Sequence, residues 1–474
     1  MKLHELARLG PDAVVPLSIE LPDAADCLRL DSLSRTASAT YVGSGQWCGQ
    51  PVWARLLVGA QAAHRHRQEL SGVRLLAEQR VNTPQLLAHG LAAGEGGWLL
   101  YEYLDNAQGS GDAWETVADQ APLSDAQQAV LADTLGAVAE LHARGLWQTD
   151  PLNHLLRHRG RLYWVGGQSL GAQTPGQPLS RDRVLANLGG LFARLPASLQ
   201  PFIEELLVCY LLANGEHALP LEALQHEIDK ARRGRLQRLL KDVRRDCAAF
   251  SVQRSFAGLR AVVRREEPRL KAILDNPEAA MAGGEILKPG SGSTVVRVQT
   301  AAGPVVIKRY NAKGWSHWLR YALGPSRAVR SWVSGHRLEW LGLGTPRPLA
   351  VLEIRRCGVR FSSYLITESL DRNDLFAHLK PDLEGIPGQA ELQALEDLFT
   401  TFLRERISHG DLKGSNLLWD GTRWLLLDLD AMRQHGSELC FRYAYAKDRA
   451  RLLRNWPAGS EARRVVAARV PEGK

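Results

Sequence analysis

The sequence predicts an α+β fold of two tandem bilobal units, each a small antiparallel β-sheet lobe followed by a larger helical lobe. Three observations carry that reading. At 474 residues the chain is too long for one ordinary core, so two or three domains are expected. Glycine-rich turns flanked by apolar strand patterns open two separate stretches, at 41–55 and 288–308. After each, apolar residues at helical spacing lead into a loop carrying an aspartate, and then into a short apolar hairpin.

The later loop is the more informative. It reads His409-Gly410-Asp411-Leu412-Lys413-Gly414-Ser415-Asn416, followed by Asp428-Leu429-Asp430. Asn416 comes five residues after Asp411, and Asp428 twelve after Asn416. That order of groups is what phosphoryl transfer from ATP requires: a carboxylate for the proton of an acceptor hydroxyl, a lysine for the moving phosphoryl, and an amide with a carboxylate for Mg²⁺. Asp411 and Lys413 are therefore the catalytic candidates, and Asn416 and Asp428 the metal ligands. Leu417-Leu418-Trp419 and the apolar run from Trp424 read as paired strands turned by Asp420-Gly421, delivering Asp428 at a strand end.

Composition is that of a soluble globular chain, with 45% hydrophobic and 23% charged residues. The first thirty residues contain no apolar segment ahead of a small-residue cleavage site, which argues against a standard secretory signal. No apolar run approaches bilayer-spanning length. Six cysteines are scattered without CxxC spacing, which excludes a zinc site or disulfide framework on pattern and suits a reduced, cytoplasmic compartment. The net charge of +8 is concentrated: residues 230–271 hold fourteen Lys/Arg against four Asp/Glu. A solvated helix face or an anionic partner such as a membrane surface both fit that charge; no nucleic-acid motif accompanies it, so no nucleic-acid partner is expected.

In chain order, residues 1–248 read as a first kinase-like domain that has lost its chemistry. Tyr41-Val42-Gly43-Ser44-Gly45 followed by Val52-Trp53-Ala54-Arg55 has a glycine hairpin and next strand, with Arg55 at the lysine position. Glu69 on the following helix is its candidate partner. Gln148-Thr149-Asp150 aligns with His409-Gly410-Asp411. His154, or Asn153 if the loop slips, then replaces the metal-binding Asn, and Gly166 replaces the metal-binding Asp. The domain reads as a pseudokinase. Helices are expected over 178–248, ending in the basic segment 230–245.

Residues 249–474 read as the working copy. Gly290 and Gly292 form a turn between strands that lets backbone N–H groups approach phosphates. Pro304-Val305-Val306-Ile307-Lys308 is an apolar strand ending in the α/β-phosphate lysine. The next helix, about 326–340, is expected to carry an acid facing Lys308, and Glu339 is the candidate. Glu368 ends the strand into the hinge, where adenine would meet backbone groups. Leu392, Leu395, Leu398, Phe399 and Phe402 form the core stripe of a helix. Forty-four residues follow Asp430, without an Ala-Pro-Glu motif, which favours a small-molecule or glycan hydroxyl over a protein acceptor.

These residues resemble the bacterial lipopolysaccharide core kinase family, which phosphorylates heptose or Kdo of the inner core. The resemblance runs through Lys308-Arg309-Tyr310-Asn311 with Lys313 and His317, Ser326-Arg327-Ala328 with Ser331-Trp332, 342–350, 409–416, 428–430 and 447–453. It implies two tandem protein-kinase-like domains, the first a degenerate copy. It also implies a cytoplasmic ATP- and Mg²⁺-dependent kinase at the inner-membrane face, acting on core oligosaccharide or lipid A-core. Its functional positions carry over to Lys308, Asp411, Asn416 and Asp428; its helix glutamate has no clear match. The basic and aromatic stretch Lys308, Arg309, Tyr310, Lys313, Trp315, Trp318, Arg320 and Tyr321 fits either contact with lipid phosphates or ordinary packing of its aromatic rings. A non-catalytic scaffold, or a kinase of another small molecule or of protein, stays open as an alternative.

Overall fold

The computed structural model describes residues 1–8, 14–24, 26–36, 39–290, 292–311, 324–356, 359–370, 374–379 and 386–473. By internal contacts the chain divides into two units, Met1–Arg235 and Leu236–Lys474. Both are mixed α and β.

In the first unit, strands β1 (Leu17–Ile19), β2 (Leu28–Leu30), β3 (Ser34–Thr36), β4 (Thr40–Trp47), β5 (Gln50–Leu57), β6 (Leu86–Ala92) and β7 (Gly96–Glu102) form one sheet in the order β1-β2-β4-β5-β7-β6, with β3 on β4. Period-two alternation sets its faces: Val52, Ala54 and Leu56 of β5 are buried with Leu28, Leu30 and Leu100, while Trp53 and Arg55 point to the other side. The helix Ala62–Glu78 follows β5. β8 (Gln108–Gly109) pairs β10 (Leu155–His158), which pairs β11 (Arg161–Trp164); β9 (Leu146–Gln148) pairs β12 (Leu170–Ala172). Helices Asp125–Ala143, Arg181–Phe192 and Ile203–Ala213 close a core around Leu135, Val138, Leu188 and Leu206.

In the second unit, β13 (Phe250–Ser255), β14 (Gly258–Val263), β15 (Glu285–Lys288), β16 (Ser293–Thr300), β17 (Gly303–Tyr310), β18 (Pro348–Arg356) and β19 (Val359–Glu368) run in the order β13-β14-β18-β19-β17-β16-β15. The helix Arg327–Trp340 begins where the Ser326 side chain accepts the Val329 N–H. β20 (Ile407–Ser408) pairs β23 (Arg433–Gln434), and β21 (Leu417–Trp419) pairs β22 (Trp424–Leu426). The Asp420 carboxylate turns the latter hairpin by accepting the Thr422 and Arg423 N–H groups. The helices Gln389–Glu405 and Glu438–Leu453 bury Leu395, Phe399, Phe402, Tyr445 and Leu452 beneath it.

The path β4-β5-β7-β6 in the first unit and β16-β17-β19-β18 in the second have the same connectivity, and in each the second strand is followed by a helix. The contact boundary falls inside the helix Leu221–Asp242, upstream of the 248/249 division expected from sequence. The physical reason is burial: Leu236, Leu240 and Val243 join Phe250 and Trp332 in one apolar cluster, and the Trp332 indole N–H donates to the Val243 carbonyl at 2.9 Å. Among the described residues, no helix is long and apolar enough to cross a membrane.

Candidate active site

The candidate loop is built on the second unit's two small antiparallel strand pairs, β20 with β23 and β21 with β22. β20 delivers His409, which is wholly buried. Its Nδ1 accepts the Asp411 N–H at 3.3 Å and its Nε2 lies 2.9 Å from the Leu427 carbonyl, so the ring is the neutral tautomer with the proton on Nε2. Burial holds the pKa of His409 down, which keeps that tautomer at neutral pH. The histidine thereby ties the loop to the residue preceding Asp428. Gly410 has φ +83°, and a Cβ there would lie 3.0 Å from Ala431, so the position favours glycine.

Asp448, from the helix Glu438–Leu453, fastens the loop from below. Its carboxylate accepts the N–H groups of His409 at 2.6 Å and Gly410 at 2.9 Å. Burial outweighs these hydrogen bonds and pushes its pKa up to about 6. Asp411 meets Arg451 Nη2 at 2.5 Å and Lys413 Nζ at 3.5 Å. Asn416 Nδ2 donates to the Asp411 carbonyl at 2.9 Å and to its carboxylate at 3.3 Å, leaving Asn416 Oδ1 for a cation.

Asp428 sits at φ +60°, ψ +55°, left-handed backbone that costs a non-glycine residue free energy and aims its carboxylate back over the loop. There Lys308 Nζ approaches Asp428 Oδ1 to 2.6 Å. Burial opposes the charge on Asp428, but the ammonium of Lys308, helped by Asp430 and Arg327, holds its pKa below the usual carboxylate range. Asp430 is raised, by burial first and by the charge of Asp428 second. Arg327 pairs with Asp430, and its Nη1 donates to the Gly292 carbonyl at 3.2 Å. Both cations lie over the ring of Tyr310, at 5.1 Å for Lys308 and 4.9 Å for Arg327.

The structure thus pairs Lys308 with Asp428 and groups Lys413 and Asn416 about Asp411, the two sets joined where the Leu427 N–H donates to the Asn416 carbonyl. Glu339 is not part of it: it pairs with His336 at 2.9 Å, one turn back on its own helix, so the lysine turns to Asp428 instead. Gly290 and Gly292 lie between β15 and β16 as expected, with their carbonyls engaged by Asn311 and Arg327. The Glu368 carboxylate accepts the Arg347 N–H at 2.8 Å, and its own N–H donates to the Arg347 carbonyl; the side chain pins the end of β19. Of the expected lipid-facing stretch, Lys313, Trp315, Trp318, Arg320 and Tyr321 lie outside the described residues, as does His317 of the family resemblance. Tyr310 is buried with its hydroxyl on Ser331, so it belongs to no exposed face.

Three contributors went unassigned from sequence, though each leaves a signal. Asp448 interrupts the apolar stripe Phe441, Tyr445, Leu452 at helical spacing, as a buried acid with a partner must. Arg327 is a cation in the first turn of a helix, against the helix dipole and therefore in need of an acid. Arg451 lies one turn beyond Lys447, in the closing motif.

The first unit places its counterparts with the same backbone contacts. The Asp150 carbonyl contacts His154 Nδ1 at 2.9 Å, as the Asp411 carbonyl contacts Asn416 Nδ2; Val165 N–H donates to the His154 carbonyl, as Leu427 N–H donates to Asn416. His154, not Asn153, therefore stands at the Asn416 position. Gly166 stands at that of Asp428 and shares its left-handed backbone, at φ +83°. A Cβ there would lie 2.6 Å from His154 Cδ2, so the imidazole fills the space of a carboxylate. Arg55 pairs with the fully buried Glu69 at 3.0 Å, and Tyr101 donates to Glu69 at 3.0 Å. One unit keeps the helix acid without the lysine, the other the lysine without the acid.

Comparison with known proteins finds a family match over part of the second unit. Residues 293–458 match the family model described as Lipopolysaccharide kinase (Kdo/WaaP) family. That span holds Lys308, Asp411, Lys413, Asn416 and Asp428, and begins just after Gly290 and Gly292. No curated protein matches the chain. Among solved structures, one described as "WaaP in complex with acyl carrier protein" is similar with a TM-score of 0.32 and 15% identity, over 43% of this chain and 88% of that one.

Proposed function

We propose that the second unit is an ATP-dependent kinase that phosphorylates a sugar hydroxyl, heptose or Kdo, of the lipopolysaccharide inner core. The observation that carries the reading is the convergence of Lys308 on Asp428 beside the loop holding Asp411 and Asn416. Asp411 takes the proton of the acceptor hydroxyl, and Lys413 neutralises charge on the transferring phosphoryl. Asn416 Oδ1 and Asp428 are hard oxygen donors that suit Mg²⁺, whose chemistry would be to neutralise the phosphates. Lys308 and the Gly290–Gly292 turn would hold the phosphates of Mg·ATP, and the backbone after Glu368 would hold its adenine.

Support for a glycan acceptor comes from the family match together with an internal feature. The helix bearing Asp448 begins at Glu438, directly after the short turn Leu429–Ala431 and β23, so there is no room between them for a peptide-presenting activation segment. The first unit is a degenerate copy, with His154 and Gly166 replacing both metal ligands. The enzyme works in the cytoplasm at the inner-membrane face, where the basic segment 230–271 meets anionic lipid.

Purified protein incubated with labelled ATP and unphosphorylated core oligosaccharide should transfer label to the sugar. No transfer, or transfer undiminished in Asp428→Ala, sinks the proposal. The pairing of Glu339 with His336 favours a second reading, a non-catalytic scaffold in core assembly. A Mg²⁺-dependent rise in melting temperature with ATP, lost in Asp428→Ala, would exclude it.

A further inference from the structure

The first unit encloses a cleft of about 860 Å³, within the range of small-molecule sites. Its lining includes Arg55, His154 and Gly166, the positions that in the second unit belong to phosphate and metal. The chemistry of that lining is opposite to what a nucleotide triphosphate needs. Arg55 is its one guanidinium or ammonium among the lining residues and is already committed to Glu69; burial lowers the pKa of His154 and leaves it neutral. Glu69 is held by Arg55 and Asp150 by Arg194 at 2.7 Å, and among the described residues no cation pairs with the other two lining carboxylates, Glu102 and Asp112. Gly166 and His154 offer no ligand set through which a metal ion would offset that charge.

The same walls suit a neutral ligand rich in hydroxyls. Trp53 and Tyr103 line the cleft with rings 38% and 41% exposed, apolar faces onto which the C–H face of a pyranose stacks. Trp53 occupies the strand position that Val306 holds in the second unit: it pairs across to Tyr101 as Val306 pairs to Thr367. A larger ring therefore stands where the second unit has the small side chain of Val306. Groups that pair with sugar hydroxyls, carboxylate acceptors and an amide donor, line the same cleft. The Asp112 carboxylate is exposed to the cleft, and Asp150 Oδ1 and Gln168 Nε2 are buried atoms lining it that have no hydrogen-bond partner. Unsatisfied buried polar atoms at the wall of a cavity are costly unless a ligand meets them.

We infer that the first unit's cleft is a saccharide-binding site, stacking a neutral sugar ring on Trp53 and Tyr103 and taking its hydroxyls on Asp112, Asp150 and Gln168. The inference stands on the cleft's own lining and is independent of whether the second unit transfers phosphate. Full-length protein labelled with 5-fluorotryptophan tests it, with the Trp53 resonance assigned by its loss in Trp53→Phe. Dephosphorylated core oligosaccharide should move that resonance saturably, ATP with or without Mg²⁺ should not, and Asp112→Asn should weaken the saccharide response at least fivefold. A resonance that stays still in saccharide, or follows ATP, or responds equally in Asp112→Asn, overturns it. Asp428→Ala should leave the response unchanged, which separates this outcome from a failure of catalysis in the second unit.

Discussion

Lys308 Nζ lies 2.6 Å from Asp428 Oδ1, so the expected phosphate lysine and the expected metal carboxylate neutralise each other in the free protein. The helix that would offer an acid to that lysine instead presents Arg327, which pairs with the neighbouring Asp430. Both cations thus lie over the Tyr310 ring, each paired with one carboxylate.

Asp428→Asn should reduce phosphotransfer by roughly 10³-fold or more, since a lost metal ligand removes several kcal/mol of transition-state stabilisation. It should cost little stability, because it also relieves the repulsion that raises Asp430. Lys308→Met should do the reverse to the fold: it leaves two adjacent half-buried carboxylates facing Arg327 alone, and should destabilise by about 1–2 kcal/mol more than Asp428→Asn. Urea titrations of the two variants measure the difference.

Arg327→Gln should raise the KM for ATP by about tenfold, a loss of about 1.4 kcal/mol from untethering the Gly292 carbonyl and Asp430, with kcat less affected. Steady-state kinetics at varied ATP separates the two parameters.

Asp448 supplies the pH dependence. Its folded pKa is raised to about 6, so the native state binds this proton more tightly than the unfolded chain does. The stabilisation it contributes is present in full below the unfolded carboxylate pKa and is lost as pH rises through about 6. Activity moves the other way: protonation below about pH 6 weakens the charge-assisted bonds to the His409 and Gly410 N–H groups and loosens the loop. Asp448→Asn should flatten the stability change between pH 4 and pH 7 and lower kcat at pH 7.5 by about tenfold. Thermal melts and rate profiles over that range check both.

In the first unit, Gly166→Asp should destabilise by about 1–3 kcal/mol, because the new carboxylate meets the His154 ring, although aspartate tolerates the left-handed backbone as Asp428 does. His154→Asn in the same chain should recover most of that loss and introduce a Mg²⁺-dependent rise in melting temperature. A double-mutant cycle, melted with and without Mg²⁺, reads the coupling.

The order and spacing of the loop 409–430 were legible because hairpin turn chemistry and the apolar strands beside Asp428 are local. Period-two strands likewise placed Lys308 and Arg55 at comparable strand positions. The partner of Lys308 was not legible, since it depends on which of two acids, 31 residues away on a helix or 120 away on a hairpin, the folded backbone brings within reach. Asp448 was missed for the same reason, as its donors are backbone groups 38 and 39 residues upstream.

Sequence by itself determined which polar groups the loop carries, their spacing along it, and that glycine rather than a carboxylate stands at 166, because each is fixed by residue type and short-range backbone geometry. Tertiary structure alone decided that Lys308 rests on Asp428, that Glu339 turns to His336, and that His154 fills the space above Gly166. Those pairings rest on long-range packing that sets burial and distance, and a carboxylate's partner is whichever cation the fold brings within about 4 Å of it.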